Sequence, residues 1–207
     1  MKYGLLADIH ESVEWLIAAI GHLEADEVDQ VIVLGDVFET GSRLNGTTEL
    51  LREARAIGVW GNHDFGLSYQ PIDDVRARFY PDCMDFMTSL KPALEFEDCL
   101  VTHVEPYRDP FDLFELWSFE NEAEISRSFE ERTHRVMFHG HHHKWSARTP
   151  MGLLDWRGTS PLMLDPPNRY LIQVAALRDG NLAIYDSSTN ILHPVQLRAE
   201  DHLRGRF

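Results

Sequence analysis

Five short apolar runs in the first two thirds of this 207-residue chain end abruptly in polar residues, and this pattern constrains the fold more than any other feature. A short, continuous apolar run is typical of a strand that is buried on both faces. Three of the runs reach their polar residues directly after a glycine, which permits a sharp turn and a close approach of the backbone to a bound group. The run ends are LADIH at 6–10, VLGD at 33–36, VWGNHD at 59–64, LVTH at 100–103 and FHGHHH at 138–143.

Helical segments alternate with these predicted strands. Residues 12–24, 47–56 and 120–133 carry apolar or amphipathic patterns at helical spacing. LEFEDCLVTH, at 94–103, predicts a pair of strands, and RYLIQVAALRDGNLAIYD, at 169–186, predicts a hairpin around Asp179 and Gly180. Alternating strands and helices followed by a β-rich tail predict a layered α/β fold with one or two mixed sheets, and the length predicts a single domain over residues 1–207.

Composition narrows the class of protein and its partners. The net charge is −15, so an extended nucleic-acid track is disfavoured, because phosphate-backbone binding depends on lysine and arginine. No apolar stretch reaches the roughly 20 residues that a membrane span needs. A strand is predicted at the very start of the sequence, so no leader is expected, and the two cysteines form no CxxC pair. We therefore expect a cytoplasmic protein with reduced thiols and no membrane partner.

The spacing of the polar residues predicts which of them share a site. Ligands in open α/β sheets bind outside the carboxyl ends of the strands, where these side chains can converge. In extended chain, residues two apart point to the same side. Asp8 and His10 are therefore expected to face one site, as are His141 and His143, while His142 points away toward solvent.

The converging donors match a pair of metal ions. Seven mixed nitrogen and oxygen ligands are too many for one four-coordinate ion but suit two ions that share a bridging carboxylate, and imidazole with carboxylate favours Mn, Fe or Zn over Ca or Mg. Such a pair can hold a phosphoryl group and lower the pKa of a bridging water. The ligands are Asp8, His10, Asp36, Asn62, His103, His141 and His143.

A general acid for the leaving group is expected beside this centre. His63 follows Asn62 directly, and an imidazole titrates near neutral pH, so His63 is the predicted acid. A carboxylate should orient its ring, and Glu39 and Asp64 both compete for that role.

The sequence closely resembles the calcineurin-like metallophosphoesterases. The family signature D-x-H, G-D, G-N-H-[DE], H and G-H-x-H is met in order by residues 8–10, 35–36, 61–64, 103 and 140–143. The resemblance implies a four-layer αββα sandwich of two mixed sheets flanked by helices. It also implies a dinuclear centre, most simply of Mn, with Asp36 bridging. One metal would take Asp8, His10, Asp36 and His143, and the other Asp36, Asn62, His103 and His141.

The resemblance also implies hydrolysis of a small phosphodiester or phosphomonoester, with a nucleotide-like substrate favoured, by attack of a metal-bridging hydroxide. It places His63 at the catalytic histidine and favours Glu39 over Asp64 as its partner. The chain lacks both arginines of the protein phosphatase motifs GDxxDRG and GNHExR, so a protein phosphatase is not expected. It also keeps His63 where many small bacterial phosphodiesterases have cysteine.

Residues beyond the metal centre are open to more than one interpretation. Arg43 and Arg108 lie in loops after Asp36 and His103 and are predicted to hold the substrate phosphate. The aromatic segment at 107–119 offers a nucleobase pocket or a homo-oligomer contact, although Phe111, Phe114 and Trp117 recur at helical spacing, which favours packing onto the sheet. The rival functions are a nuclease and a metal-binding scaffold or regulatory protein of the same fold.

Overall fold

The computed structural model describes residues 1–198 as two six-stranded sheets with helices on their outer faces. Residues 199–207 of the expected domain lie outside the described part of the chain. The strands are β1 (Lys2–Leu6), β2 (Gln30–Leu34), β3 (Ile57–Val59), β4 (Leu94–Phe96), β5 (Cys99–Val101), β6 (Val136–His139), β7 (Ser146–Thr149), β8 (Gly152–Leu153), β9 (Leu162–Met163), β10 (Tyr170–Gln173), β11 (Asn181–Asp186) and β12 (Ile191–Gln196). The helices are α1 (Val13–Ala25), α2 (Leu44–Glu53), α3 (Phe65–Ser68), α4 (Asp73–Arg76), α5 (Pro81–Ser89), α6 (Leu113–Leu116) and α7 (Arg127–Glu131).

Both sheets are mixed, and each keeps its predicted functional strands parallel and adjacent. The first sheet has the order β3-β2-β1-β11-β12-β9, in which β1, β2 and β3 are parallel. The second has the order β4-β5-β6-β10-β7-β8, in which β5, β6 and β10 are parallel. The carboxyl ends of neighbouring parallel strands lie at the same edge, so each sheet presents its polar run ends together.

Two apolar layers and a smaller third hold the sheets and helices together. Alternate residues of β1 point to opposite faces: Leu5 packs between the sheets, whereas Leu6 packs against the helices. The inter-sheet layer is filled from both sides, for example by Ile32 and Phe138. On the far side of the second sheet, Phe129 of α7 covers a smaller cluster. The predicted four-layer αββα sandwich is confirmed.

Two local predictions were wrong. The acidic segment at 120–133 forms a helix only at α7, since residues 122–126 make turns instead. The expected hairpin around Asp179 and Gly180 does not form, because β10 and β11 lie in different sheets. Between them the chain crosses over at Ala176, which bridges Ala7, and a 3₁₀ helix (Leu177–Asp179) ends at Gly180 with φ 81°. The actual antiparallel hairpin joins β11 to β12.

The segment at 107–119 also departs from its predicted packing. Its helix is the single turn α6, and Phe111 is 47%, Phe114 88% and Trp117 54% exposed. Helical spacing therefore does not bury these rings against the sheet. Among residues 1–198, no helix is long and apolar enough to cross a membrane.

Candidate metal centre

The polar run ends of the two sheets meet because backbone hydrogen bonds join them. The N–H of Asp8 donates to the carbonyl of Gly35 at 3.1 Å, and the N–H of His10 donates to the carbonyl of Asp36 at 2.9 Å. Across the sheets, the N–H of His141 donates to the Asp8 carboxylate at 3.0 Å. The site is thus built on the first sheet and completed by the loop after β6.

The backbone at this edge is left-handed rather than extended. Asp8, His10, Asp36, His141 and His143 all have φ between 46° and 75°. A positive φ is uncommon in residues other than glycine, and such strain concentrates at functional sites. The expectation that extended backbone would aim each pair of ligands at one site is therefore wrong in its geometry. The side chains converge through a turn that the spacing alone did not predict.

One group of potential ligands consists of Asp8, His10 and His143. Their ligand atoms all lie within 4.8 Å of one another. Nε2 of His10 is 3.2 Å from Nε2 of His143, which in turn is 3.4 Å from Oδ1 of Asp8. Two imidazole nitrogens facing each other beside a carboxylate is a donor arrangement that suits a divalent cation.

A second group consists of Asp36, His103 and His141, again with ligand atoms within 4.8 Å of one another. Oδ1 of Asn62 lies 2.8 Å from Nε2 of His103 and 3.0 Å from Nδ1 of His141, so the amide oxygen belongs to the same group. All but His141 are buried, and even its side chain is half-buried.

Asp36 connects the two groups. Its Oδ2 lies 3.7 Å from Nε2 of His10 in the first group and 3.4 Å from Nε2 of His103 in the second. The side chain is buried, and its Oδ1 accepts the backbone N–H of His63 at 3.0 Å, which fixes the carboxylate. This is the position that a bridging ligand requires.

The residues present fit cations in both groups. Nδ1 of His103 is 2.8 Å from the carbonyl oxygen of Leu34, so Nδ1 donates and Nε2 of the neutral ring carries a lone pair. That lone pair faces Asn62 Oδ1 and Asp36 Oδ2, both of which are also acceptors. Three acceptors that converge without a hydrogen repel one another, whereas a cation among them is stabilised by all three.

The close packing of these ligand candidates shifts their pKa values. Burial lowers the pKa of His103, but the Asp36 carboxylate outweighs burial and raises that pKa to about 10. Burial raises the pKa of Asp36, yet His103 outweighs it, and the carboxyl pKa lies well below its usual range. Burial and the neighbouring His103 lower the pKa of His141 to about 3, which keeps its ring neutral and its lone pair available. In the metal-free protein a proton on Nε2 of His103 therefore takes the place beside Asp36 that a metal ion would take when bound.

His63 lies at the edge of the centre with 28% of its side chain exposed. Its ring is perpendicular to that of His10, at 4.7 Å between centroids. Of the two predicted partners, Asp64 is fully buried and accepts backbone N–H groups from Val37, Phe38 and Gly61, which is a structural role.

Glu39 lies nearer to His10 than to His63. Its Oε2 is 2.5 Å from Nδ1 of His10 but 4.0 Å from Nδ1 of His63. Carboxylates commonly accept from the outer nitrogen of a metal-binding imidazole, fixing its tautomer and orientation. Glu39 is therefore better placed to orient His10, a candidate metal ligand, than His63, the predicted acid.

The two arginines predicted to bind phosphate already have acidic partners. Arg43 is exposed and pairs with Glu14 at 2.6 Å. Arg108 is buried, with Nε 2.6 Å from Glu105 Oε2 and a second nitrogen 2.8 Å from the carbonyl of Phe119. Each guanidinium is thus already paired with a carboxylate. Phosphate binding by these two arginines stays a prediction.

The contacts of three other residues near the site were not predicted from the sequence. His142 does not face solvent as predicted, because its Nε2 is 3.0 Å from Oε1 of the buried Glu105. The Trp117 ring lies 5.0 Å from that of His63, and an Arg178 nitrogen lies 3.6 Å from Glu39 Oε2. Trp117 was visible as one of several aromatics, but nothing in the sequence linked Arg178, which follows β10, to this edge of the molecule.

Known proteins share part of this sequence and its fold. Among curated proteins, an uncharacterized protein of Methanocaldococcus jannaschii, MJ0912, is 32% identical over 63 residues, which are 30% of this chain and 26% of that protein. This chain therefore matches only about a quarter of that relative's length.

Among solved structures, a metallophosphoesterase from Sphaerobacter thermophilus superposes with a TM-score of 0.76 at 22% identity, covering 99% of this chain and 92% of the other. An archaeal phosphodiesterase superposes with a TM-score of 0.58 at 15% identity, covering 95% and 100%. At these identities both show a shared fold. The sequence profile of the calcineurin-like phosphoesterase superfamily domain matches residues 1–157. With its motifs in order and its sandwich fold, the chain belongs to the calcineurin-like phosphoesterase superfamily.

Proposed function

We propose that this protein is a dinuclear metal-dependent phosphoesterase that hydrolyses a small phosphodiester or phosphomonoester, with a nucleotide-like substrate favoured. The observation that carries the proposal is the position of Asp36, whose one carboxylate oxygen lies within 4 Å of a histidine nitrogen in each ligand group. A single structural metal would need only one of these groups.

The metals would be held by the two groups and would supply the positive charge that this acidic chain otherwise lacks. Asp8, His10 and His143 would hold one, Asn62, His103 and His141 the other, and Asp36 both. Manganese is the first choice, and iron or zinc also suit imidazole with carboxylate. When bound, two such ions hold a phosphoryl group and make a water between them a better nucleophile at neutral pH.

His63 would protonate the leaving oxygen. Its ring is partly exposed at the edge of the centre, where a substrate can reach it. Nδ1 lies on the side of Glu39, so Nε2 is the nitrogen left to carry the proton to the leaving oxygen. General acid catalysis by a positioned imidazole contributes about 10²- to 10⁴-fold to the rate.

Glu39 would act mainly through His10. Its Oε2 lies 2.5 Å from the outer nitrogen of that ring, so it would favour a proton on Nδ1 and leave Nε2 for the metal. Arg178, 3.6 Å from the same carboxylate, helps to hold it in place. In this proposal Glu39 orients a metal ligand, His10, rather than the general acid, His63.

The test uses protein stripped of metal and reloaded with Mn. Rates on bis-p-nitrophenyl phosphate and p-nitrophenyl phosphate are compared for the wild type, His63→Gln, and His193→Gln, which changes an exposed histidine on β12 as a matched control. We expect metal-dependent turnover that falls at least 100-fold in His63→Gln with metal content unchanged, while His193→Gln behaves as wild type.

The ratio of the two rates then assigns the protein to diesters or monoesters. Two metals bound with no turnover of either ester would contradict the proposal and favour a binding role for the same fold.

A further inference from the structure

A cavity of about 590 Å³ opens beside His63, outside the metal centre. Its size is in the range of small-molecule sites, which run from about 300 to 1,000 Å³. None of the seven ligands lines it. His63 lies at the edge of the metal centre and also lines the cavity. A leaving group whose oxygen is protonated by His63 would therefore extend into the cavity.

The wall of the cavity is chiefly apolar. Phe38, Leu67, Val75 and Phe79 all line it. Gly41, which has φ 84°, lies between two of the rings: a Cβ at this position would be 3.0 Å from the Phe79 ring and 3.3 Å from the Phe38 ring. A flat group matches such a wall, whereas a polyol would leave its hydroxyl groups without partners.

The loop that forms one side of the cavity is held in place before any substrate arrives. The backbone N–H groups of Thr40 and Gly41 both donate to the buried carboxylate of Glu11, and the hydroxyls of Thr40 and Ser42 bond to each other at 2.9 Å. A preformed wall lowers the entropic cost of binding.

One positive charge lies on the cavity and is not neutralised. Arg78 lines it and is exposed, and within residues 1–198 its guanidinium has no ion pair. By contrast, both Arg43 and Arg108 are paired with carboxylates. In a chain with a net charge of −15, an unpaired arginine on a cavity wall is a local attraction for an anion.

From these observations we infer that the cavity is the leaving-group subsite and takes a flat aromatic group that carries an anionic substituent, as in a nucleotide or an aryl carboxylate. The inference rests on the proposed function, because His63 must be the acid that protonates the leaving oxygen. The aromatic ring packs against the wall formed by Phe38 and Phe79, and the anion pairs with Arg78. A P–O bond forms to the oxygen of a water molecule, the ester P–O bond to the leaving group breaks, and the proton on His63 leaves with the alcohol. The proton that the water loses restores His63.

The experiment uses two matched substrates on Mn-loaded protein, methyl 4-(carboxymethyl)phenyl phosphate and its primary carboxamide. The two leaving groups have nearly the same size and acidity and differ in charge. We expect a kcat/KM about threefold to fivefold higher for the carboxylate, as an exposed ion pair provides. Arg78→Gln should abolish this preference, and Arg76→Gln, an exposed arginine of α4 that does not line the cavity, should keep it.

Binding of the released alcohols separates this inference from the proposed function. The affinities of 4-hydroxyphenylacetate and 4-hydroxyphenylacetamide, measured by calorimetry, should show the same preference and the same loss in Arg78→Gln even if no ester is turned over. Val75→Trp should weaken both alcohols, because its ring fills the cavity, with metal content unchanged. Adenosine 5′-monophosphate compared with adenosine then distinguishes a nucleotide from an aryl carboxylate as the source of the anion.

Equal effects of Arg78→Gln on charged and neutral ligands, or no effect of Val75→Trp, would overturn the inference. Turnover of both esters without any dependence on these residues would overturn it while leaving the proposed function intact.

Discussion

Replacing Glu11 tests how much of the site depends on one buried carboxylate behind it. Glu11 is 5% exposed and follows the metal-ligand candidate His10. Its carboxylate accepts four backbone N–H groups from a single loop, at distances of 2.5 to 3.0 Å. The donors are residues 39, 40, 41 and 43, so this one side chain positions both Glu39 and the cavity wall.

The magnitude follows from the number and exposure of these bonds. A hydrogen bond to a charged group contributes about 1.5–3 kcal/mol, but the loop is half-exposed and its freed N–H groups can bind water. We therefore expect Glu11→Ala to lower the free energy of unfolding by about 3 kcal/mol, well below the sum of four bonds. Glu11→Gln keeps one oxygen but turns an amide toward the N–H of Arg43, and should cost about 1.5 kcal/mol.

The assay is urea unfolding of the metal-stripped protein, followed by circular dichroism, since bound metal would add its own stability. Glu14→Gln is the matched control, because Glu14 contacts the same loop through the exposed Arg43 side chain and should cost less than about 1 kcal/mol. If Glu11→Ala and Glu14→Gln agreed within about 0.5 kcal/mol, the loop would not depend on the buried carboxylate and the reasoning would be refuted.

Three further predictions concern the metal centre and its surroundings. Asp36→Asn should reduce bound Mn, measured by plasma mass spectrometry, from two equivalents to fewer than one, while the exposed Asp26→Asn keeps both; full occupancy in Asp36→Asn would exclude the bridging role. Glu39→Gln should weaken Mn binding about tenfold, because the imidazole it contacts loses its partner, and unchanged affinity with lost turnover would instead return Glu39 to the general acid. Trp117→Ala should lower kcat severalfold without loss of stability, whereas Phe114→Ala, which changes an 88% exposed ring, should leave kcat unchanged.

The fold was predictable where local pattern and global topology agree. The buried strands β1, β2 and β6 are continuous apolar runs, and their period and length leave little alternative. The hairpin prediction failed because two adjacent strands around an Asp-Gly pair can lie in different sheets. The strand pairings that separate these cases, such as the parallel bridge between Ala176 and Ala7, join residues far apart in the chain.

The site was predictable in its composition more than in its connections. Run ends at the carboxyl edge of parallel strands assembled the two ligand groups without any knowledge of side-chain positions. The partner of Glu39 could not be predicted from the sequence, because its carboxylate lies within reach of both His10 and His63. Only the distances distinguish the two. The ion pairs of Arg43 and Arg108 could not be predicted either, because the sequence does not show whether a loop arginine is paired with a carboxylate.

The most direct test of the dinuclear centre is a titration of metal-stripped protein with Mn, with hydrolysis of bis-p-nitrophenyl phosphate measured at each addition. For a dinuclear centre we expect turnover that rises with added metal and reaches its plateau at two equivalents per chain. A plateau at one equivalent, or turnover that does not depend on metal, would contradict it.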